Sequence, residues 1–268
     1  MKVDIARMII EGEDLRDFHM HTCYCDGKNT PQEMVFAALD AWMKKVGFSG
    51  HSHTDFYPDM CMTLEDTDRY EEEIRTLDME FGDQIEILCG IEQDYCSEEP
   101  TDRWDYVIGS VHYLPSRLSV DDTTQMLEQA IDEDYGGDVY SLCEDYYRLL
   151  GDVVRKTGAD IVGHFDLVSK FNRGGEEGGK GIYFDEGHPR YVAAWQAAAD
   201  KLLDTEKPPL FEINFGAVIR GYRTEPYPSK PILEYLKARG AKFILSGDSH
   251  TVDNVMKAAE IMKAYSSS

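Results

Sequence analysis

The sequence predicts an α/β fold of parallel strands, and three features lead to this prediction. Seven strand-like segments alternate with helix-like segments along the chain. No segment has the character of a linker that would divide it. Its 268 residues are a length that α/β barrels reach as one domain. Because strands that alternate with helices form parallel β/α units, we expect a single α/β domain across residues 1–268.

Each predicted strand is a short run of mainly apolar residues. The first ends in a His-Met-His sequence, and the third changes from alternating to continuous apolar residues. The strands are predicted at Arg16–His21, Lys45–His51, Gln84–Ile91, Tyr106–His112, Asp160–His164, Leu210–Asn214 and Lys242–Ser246.

The predicted helices begin at recognisable capping residues. Thr30 can cap a helix whose first residue is Pro31, and Thr63 can cap the next one. Two longer segments, Leu114–Gly137 and Asn172–His188, are acidic or glycine-rich and are predicted to be loops. The helices are predicted at Pro31–Lys44, Thr63–Phe81, Asp138–Thr157, Pro189–Asp204, Ser229–Ala238 and Val252–Ala264.

Composition and charge exclude several classes of function. No apolar run approaches the roughly 20 residues that span a bilayer, and the first residues lack a signal-peptide pattern, so we expect a cytoplasmic protein with no membrane partner. The six cysteines form no CxxC pair and are predicted to be free thiols. The net charge of −24 disfavours nonspecific binding to nucleic acid. Binding of an anionic substrate would require bound metal ions that reverse the negative electrostatic field of the protein locally.

Six of the eight histidines lie at or just beyond the ends of predicted strands. In a β/α barrel these ends share one rim, where catalytic groups collect. The histidines at i and i+2 of the first strand point the same way, and Glu92 ends the third strand. Imidazoles and carboxylates on one rim are typical ligands of Zn, Mn or Fe. The six histidines are His19, His21, His51, His112, His164 and His250.

Two nearby residues, Asp17 and His53, each have two alternative roles, and a third, His188, is expected to lie outside this pattern. Asp17 either accepts the second ring N–H of a histidine and so orients it, or is an exposed strand acid. His53 follows His51 by two residues and is either a ligand or substrate contact, or a solvated loop residue. His188 precedes Pro189 at a predicted helix start, and we expect it to be structural.

Five motifs follow one another along the chain, namely Asp17–His21, Gly90–Glu92, Gly109–His112, Gly163–Asp166 and Gly247–His250. Together they resemble the motifs of the PHP (polymerase and histidinol phosphatase) superfamily. The chain length and the segments Gly109–Tyr113 and Glu212–Asn214 are similar to the histidinol-phosphate phosphatase branch. The resemblance covers about residues 15–264 and implies a single-domain, distorted (β/α)7 TIM-like barrel. It also implies two to three divalent transition metal ions, of Zn, Mn or Fe.

The resemblance further implies which residues bind the ions. The first ion would be held by His19, His21, Glu92 and Asp248. Glu92 would bridge to a second ion, which is also held by His112 and His164. The third would be held by Asp26, His51 and His250. Two positions depart from the family pattern, since Ser49-Gly50 replaces Thr-Asp before His51, and Asp26 stands where the family often has His.

The activity implied is that of a metal-dependent phosphomonoesterase that hydrolyses L-histidinol phosphate in histidine biosynthesis. The predicted catalytic residues are Glu92, Asp248 and Arg220. Arg220 matches a phosphate-binding arginine of the branch, and a guanidinium suits bidentate contact with phosphate. Lys170 and Arg173 follow the fifth strand and could reach the same phosphate. Asp121, in the acidic loop, either attracts the substrate amine or is only a solvated acid.

Two other functions fit the sequence less well. The chain could be a PHP phosphoesterase for another small ester, such as a nucleotide or sugar phosphate. It could instead be a PHP-like binding module without catalysis, although its near-complete set of predicted ligands disfavours this. We expect a small phosphorylated substrate and no nucleic acid.

Overall fold

The strands of the computed structural model, which describes residues 15–57, 59–175 and 179–267, are all parallel to their neighbours. Their bounds are β1 Arg16–Asp17, β2 Lys45–Phe48, β3 Glu86–Cys89, β4 Ile91–Asp94, β5 Val107–Ser110, β6 Ile161–Val162, β7 Leu210–Asn214 and β8 Lys242–Ser246.

The strands close into a barrel with seven strand positions. Strands β3 and β4 follow one another with only Gly90 between them and share one position, because β3 pairs with β2 while β4 pairs with β5. Strands β5 to β8 then pair in chain order. Met20 pairs with Ser249, so the first and last strands are neighbours. This confirms the predicted α/β fold and its distorted (β/α)7 TIM-like barrel.

Helices surround the barrel, and most connect consecutive strands. Among the helices of the described ranges, none combines the length and apolar character needed to cross a membrane. Their bounds are α1 Pro31–Asp40, α2 Leu64–Phe81, α3 Thr124–Gln129, α4 Val139–Leu150, α5 Val153–Thr157, α6 Pro189–Leu203, α7 Gly216–Ile219, α8 Lys230–Ala238 and α9 Val252–Ser266.

The third predicted strand differs from the observed one in a way that matters for function. The prediction ends the strand at Ile91, with Glu92 just beyond it. In the structure Gly90 divides the strand, and β4 continues to Asp94. Glu92 is therefore held within a paired strand rather than at a free end.

Two predictions for the helical layer are wrong. The segment Leu114–Gly137, predicted as a loop, contains α3 and a π-helical turn at Ala130–Asp134. Thr123 caps α3 by accepting a hydrogen bond from the Met126 backbone N–H, at 3.2 Å. The single helix predicted at Asp138–Thr157 is broken between α4 and α5. The predicted loop Asn172–His188 contains no helix or strand in its described residues, which exclude 176–178.

Tyr106 fills the centre of the barrel. Its ring is buried against Phe18, and its hydroxyl donates to the carbonyl oxygens of Phe18 and Phe48, at 2.5 and 3.0 Å. A Cβ atom on either Gly47 or Gly90 would lie 2.4 Å from the Tyr106 side chain, so only glycine leaves room for it at these positions. The barrel core thus fixes the strand that carries Glu92.

Candidate metal centre

The six histidines predicted to share one rim do so, at the carboxyl ends of the strands. The rings of His19 and His21 follow β1 and are fully buried, and His112 and His164 are nearly so. His51 and His250 are partly exposed at the mouth of the centre. The backbone pairing between His51 and Glu92 extends the sheet to this level, which fixes both side chains.

Glu92 lies in the middle of five of these imidazoles. Its Oε2 atom is 3.2 Å from His19 Nε2, 3.5 Å from His21 Nε2 and 3.1 Å from His51 Nδ1. Its Oε1 atom is 3.3 Å from His112 Nε2 and 2.8 Å from His164 Nε2. The two oxygens thus face two different groups of ring nitrogens, which is the arrangement that a bridging carboxylate requires.

Two aspartates complete the cluster on the side of His21 and His250. Asp248 Oδ1 is 3.3 Å from His21 Nε2 and 3.7 Å from His19 Nε2. Asp26 Oδ2 is 3.0 Å from His250 Nε2, and its Oδ1 is 3.7 Å from His51 Nε2. All nine residues predicted as metal ligands therefore lie in one continuous cluster.

The chemistry of the donors fits divalent metal ions. Four groups within the cluster each bring three or four ligand atoms within 4.8 Å of one another. Several of these atoms are buried without a hydrogen-bond partner in the described structure, namely His19 Nε2, His21 Nε2, Asp26 Oδ1 and Glu92 Oε2. Buried polar atoms are rarely left without a partner, so these atoms are suited to coordinate a cation.

The ionisation of the cluster also favours a cation. Burial alone raises the pKa of Glu92, but the imidazoles of His19 and His112 outweigh it and hold that pKa well below the usual value. Asp26 has a lowered pKa for the same reason, against its burial, because of His250 and His51. Burial lowers the pKa of His21 to about 3, helped by its histidine neighbours. Asp26 and Glu92 are therefore ionised and His21 is neutral, as ligands must be. Burial lowers the pKa of His19 and His112, but Glu212 and Glu92 beside His19, and Glu92 beside His112, outweigh it and raise both pKa values well above the usual value. A cation would therefore bind these two rings with release of their protons.

Partners behind the ligands hold the rings in position. Glu212 Oε1 lies 2.7 Å from His19 Nδ1, and Asp94 Oδ2 lies 3.2 Å from His112 Nδ1. Ser110 donates a 2.6 Å hydrogen bond to Glu92 Oε1. Asp94 was not identified from the sequence. The signal that could have found it is its i+2 spacing from Glu92 on one strand face.

One of the two roles predicted for Asp17 requires contact with a histidine ring, and the described structure shows no such contact. Asp17 is fully buried and accepts hydrogen bonds from the backbone N–H groups of His19 and Gly247, both at 3.0 Å. Burial raises its pKa to about 7. The ring contact expected of Asp17 is made by Glu212 instead, because Asp17 faces the backbone between the first and last strands.

A cleft of about 360 Å³ opens above the cluster and brings cationic side chains to it. Arg220 lines this cleft and donates to Asp248, through Nη1 to the carbonyl at 2.9 Å and through Nη2 to Oδ2 at 3.2 Å. Lys170 lines it too and contacts Asp121 Oδ2 at 3.1 Å. Burial raises the pKa of Asp121, but Lys170 outweighs it and lowers that pKa to about 2.

Three other predicted candidates lie away from the cleft. Arg173 is exposed and does not line it, so the structure does not bring Arg173 to a phosphate there. His53 faces a separate small pocket, and its Nδ1 is 2.9 Å from the Met62 carbonyl. His188 accepts a hydrogen bond from the Arg190 N–H at the start of α6, which confirms its structural role.

Known proteins share both the sequence and the fold. The PHP domain model matches residues 17–206. A protein of Deinococcus radiodurans named "Probable histidinol-phosphatase" is 31% identical over 88% of this chain and 86% of its own length. The histidinol-phosphatase of Lactococcus lactis is 28% identical over 87% and 83%.

Solved structures agree in fold. The hisK structure from Listeria monocytogenes superposes with a TM-score of 0.76 at 16% identity, over 92% of this chain and 99% of that one. The histidinol phosphate phosphatase of Lactococcus lactis, solved with Zn, L-histidinol and phosphate, gives 0.61 at 22% identity, over 93% and 92%. From the matched domain and from relatives similar over most of their length, the chain belongs to the PHP family.

Proposed function

We propose that this protein is a metal-dependent phosphatase that hydrolyses L-histidinol phosphate to L-histidinol and phosphate. Its curated relatives are named as histidinol-phosphatases, and they cover most of the chain. The Lactococcus lactis protein of the same fold was solved with the two products and Zn. The observation that carries the proposal is the position of Glu92, which joins five imidazoles at the floor of an open cleft.

In this proposal two to three divalent ions, of Zn, Mn or Fe, are held by the nine clustered side chains. Bound ions supply Lewis acidity, which lowers the pKa of water and stabilises charge on phosphoryl oxygens. Glu92 and Asp248 would supply carboxylate ligands for these ions, beside the ring nitrogens that each of them faces. The residues that would bind them are His19, His21, Asp26, His51, Glu92, His112, His164, Asp248 and His250.

Cationic side chains of the cleft would bind and orient the phosphoryl group. Arg220 stands beside Asp248, with its guanidinium at the edge of the cluster, so it suits contact with a phosphoryl oxygen. Lys170, on the segment that follows β6, lines the same cleft. Each of these two side chains is already held in place by an ion pair with a carboxylate. Less side-chain entropy is therefore lost when the phosphate binds.

Acidic and aromatic side chains of the cleft would bind the amine and imidazole of the substrate. Asp121 and Asp122 line the cleft together with Tyr113 and Tyr222. Tyr57 hydrogen-bonds to Asp122 and so supports that acid from outside. Because Asp121 is already paired with Lys170, its neighbour Asp122 is the better candidate for the substrate amine.

A substrate panel tests the proposal. The metal-loaded protein is assayed with histidinol phosphate, a nucleotide, a sugar phosphate and an aryl phosphate. Every ester offers the same phosphoryl group, so preference must arise from contacts with the rest of the molecule. We expect the highest kcat/KM for histidinol phosphate. A clear preference for nucleotides or sugar phosphates would favour the alternative phosphoesterase, and no turnover of any ester would favour the binding module. The cytoplasmic location stays a prediction.

A further inference from the structure

A second cluster of charged groups lies buried beside the cleft, outside the proposed metal ligands. Its members are Arg223, Asp166 and Glu186, with 4%, 0% and 4% of their surface exposed. None of the three lines the cleft. We call these residues the Arg223 cluster.

The Arg223 cluster connects the two chain segments that carry Lys170 and Arg220, the cationic residues of these segments that line the cleft. Arg223 Nη1 donates a 2.7 Å hydrogen bond to the carbonyl of Ser169, the residue before Lys170. Asp166, on the same segment, accepts a 2.9 Å hydrogen bond from the Ser229 N–H. The segment after β6 is thereby tied to the segment after β7 at both of its ends.

The same two segments also meet at the surface of the cleft. The Lys170 ammonium lies 4.9 Å from the centre of the Tyr222 ring, and Tyr222 directly precedes Arg223. Glu186 stands behind this contact, 3.4 Å from Arg223 Nη1 and 3.0 Å from Asn172 Nδ2. Arg223 thus bonds to the residue before Lys170 and follows the residue whose ring contacts Lys170, although Arg223 itself does not line the cleft.

Stability alone does not explain buried charged groups such as these, because apolar side chains of similar size are often at least as stabilising at buried positions. Burial raises the pKa of Glu186 to about 7 against the attraction of Arg223. Several polar atoms of the cluster have no hydrogen-bond partner in the described structure, namely Arg223 Nε, Arg223 Nη2, Glu186 Oε2 and Asp166 Oδ1. These atoms carry a desolvation cost, so specificity of geometry is the better account of the cluster than stability.

We propose that Arg223 is a positioning residue, which sets the place of Lys170 and thereby the affinity of the cleft for phosphate. The proposal rests on the proposed function, because it assumes that Lys170 contacts the phosphoryl group. Loss of Arg223 frees the Ser169 carbonyl and lets the segment move away from the segment after β7. Lys170 then keeps its charge and its pairing with Asp121 but loses its fixed distance to the bound anion.

The test is binding of inorganic phosphate to the metal-loaded protein, measured by titration calorimetry. We expect Arg223→Met to raise the Kd for phosphate about tenfold, which is the lower end of the cost of losing a supporting partner. Metal content per chain stays that of the wild type. Arg223→Lys, which keeps the charge and one directed bond, gives an intermediate Kd. The matched control is Arg190→Met, because Arg190 also joins two acids, Asp138 and Glu144, but lies away from the cleft.

A double-mutant cycle separates positioning from general destabilisation. Lys170→Met alone weakens phosphate binding, and adding Arg223→Met to it has little further effect if Arg223 acts through Lys170. Independent, multiplying effects would overturn the proposal, and so would an unchanged Kd in Arg223→Met. If the Met variant does not fold, the cycle is run with Arg223→Lys, and an unchanged Kd there overturns the proposal equally. Failure of the proposed function is seen separately, as a wild-type protein that binds no phosphate or hydrolyses no histidinol phosphate.

Discussion

Replacement of Glu92 by glutamine tests the assignment of the centre most directly. The amide keeps the volume of the carboxylate, so the barrel around the fully buried side chain stays packed. It offers one oxygen and one NH2 group, however, so one of the two sets of ring nitrogens that now face a carboxylate oxygen would face an N–H donor. The bridge is therefore lost on one side, and the negative charge is lost on both.

The size of the effect follows from the short distances. Two unit charges about 4 Å apart interact by about 4 kcal/mol at the effective dielectric constant of a protein, and each 1.4 kcal/mol is a factor of ten. Loss of one such interaction lowers metal affinity about a thousandfold. We expect Glu92→Gln to lose at least one ion per chain and to lower kcat/KM for histidinol phosphate by more than a hundredfold.

The assay pairs metal analysis with kinetics and a thermal melt. The matched control is Glu86→Gln, because Glu86 begins β3 at the opposite end of the same strand position and its side chain is half-exposed beside Lys45. The control should keep both metal and activity. A Glu92→Gln protein with full metal content and near-normal kcat would refute the bridging role, whereas a protein that no longer folds would show that Glu92 is needed for the barrel itself.

Four further predictions concern other parts of the molecule. Exhaustive chelation should abolish turnover, and Zn, Mn or Fe should restore it. Activity that survives chelation with no metal detected would contradict metal-dependent catalysis. Arg220→Ala should weaken all phosphate esters alike and also lower metal content, because Arg220 holds Asp248; a selective loss for one ester would contradict this. Tyr106→Phe should lower the free energy of unfolding by about 1–3 kcal/mol in urea denaturation and leave metal content unchanged, since two buried carbonyls lose a donor. The pKa of Glu186 is about 7 in the folded protein and 4.5 in the free group, so between these pH values the Glu186 carboxyl binds more protons in the folded state than in the unfolded state. The stabilisation from this group is therefore fully present below pH 4.5 and is lost as the pH rises through about 7. Glu186→Gln should therefore flatten the fall of unfolding free energy between pH 5 and 8, and an unchanged slope would contradict it.

Much of the site could be predicted because it depends on where strands end. A histidine that follows a short apolar run is placed on the rim by the barrel itself, so His19, His112 and His164 were located from local sequence alone. Asp26 lies on a loop rather than a strand, and its place in the cluster came from the family resemblance. The structure puts it 3.0 Å from His250.

What the sequence did not predict depends on packing between distant segments. The contact of Glu212 with His19 joins residues 193 positions apart. No local pattern shows which acid reaches which ring. The error at Asp17 has the same origin, because an acid two residues before a histidine can turn either to the ring or to the backbone. Arg173 was misplaced since its loop leads it outward, away from the cleft.

The charges that line the cleft explain why a phosphate ester needs the metal ions for binding as well as for chemistry. Five carboxylates face three cationic side chains there, which leaves the lining with two negative charges when all eight are ionised and the lining histidines are neutral, as they must be to bind metal. The acids are Asp26, Glu92, Asp121, Asp122 and Asp248, and the cations are Lys28, Lys170 and Arg220. A phosphate dianion would meet repulsion from this lining and from a chain of net charge −24. Two divalent ions would reverse the sign, so the same carboxylates that repel the bare anion would create its binding site once they hold metal. Chelation should therefore remove phosphate binding together with turnover.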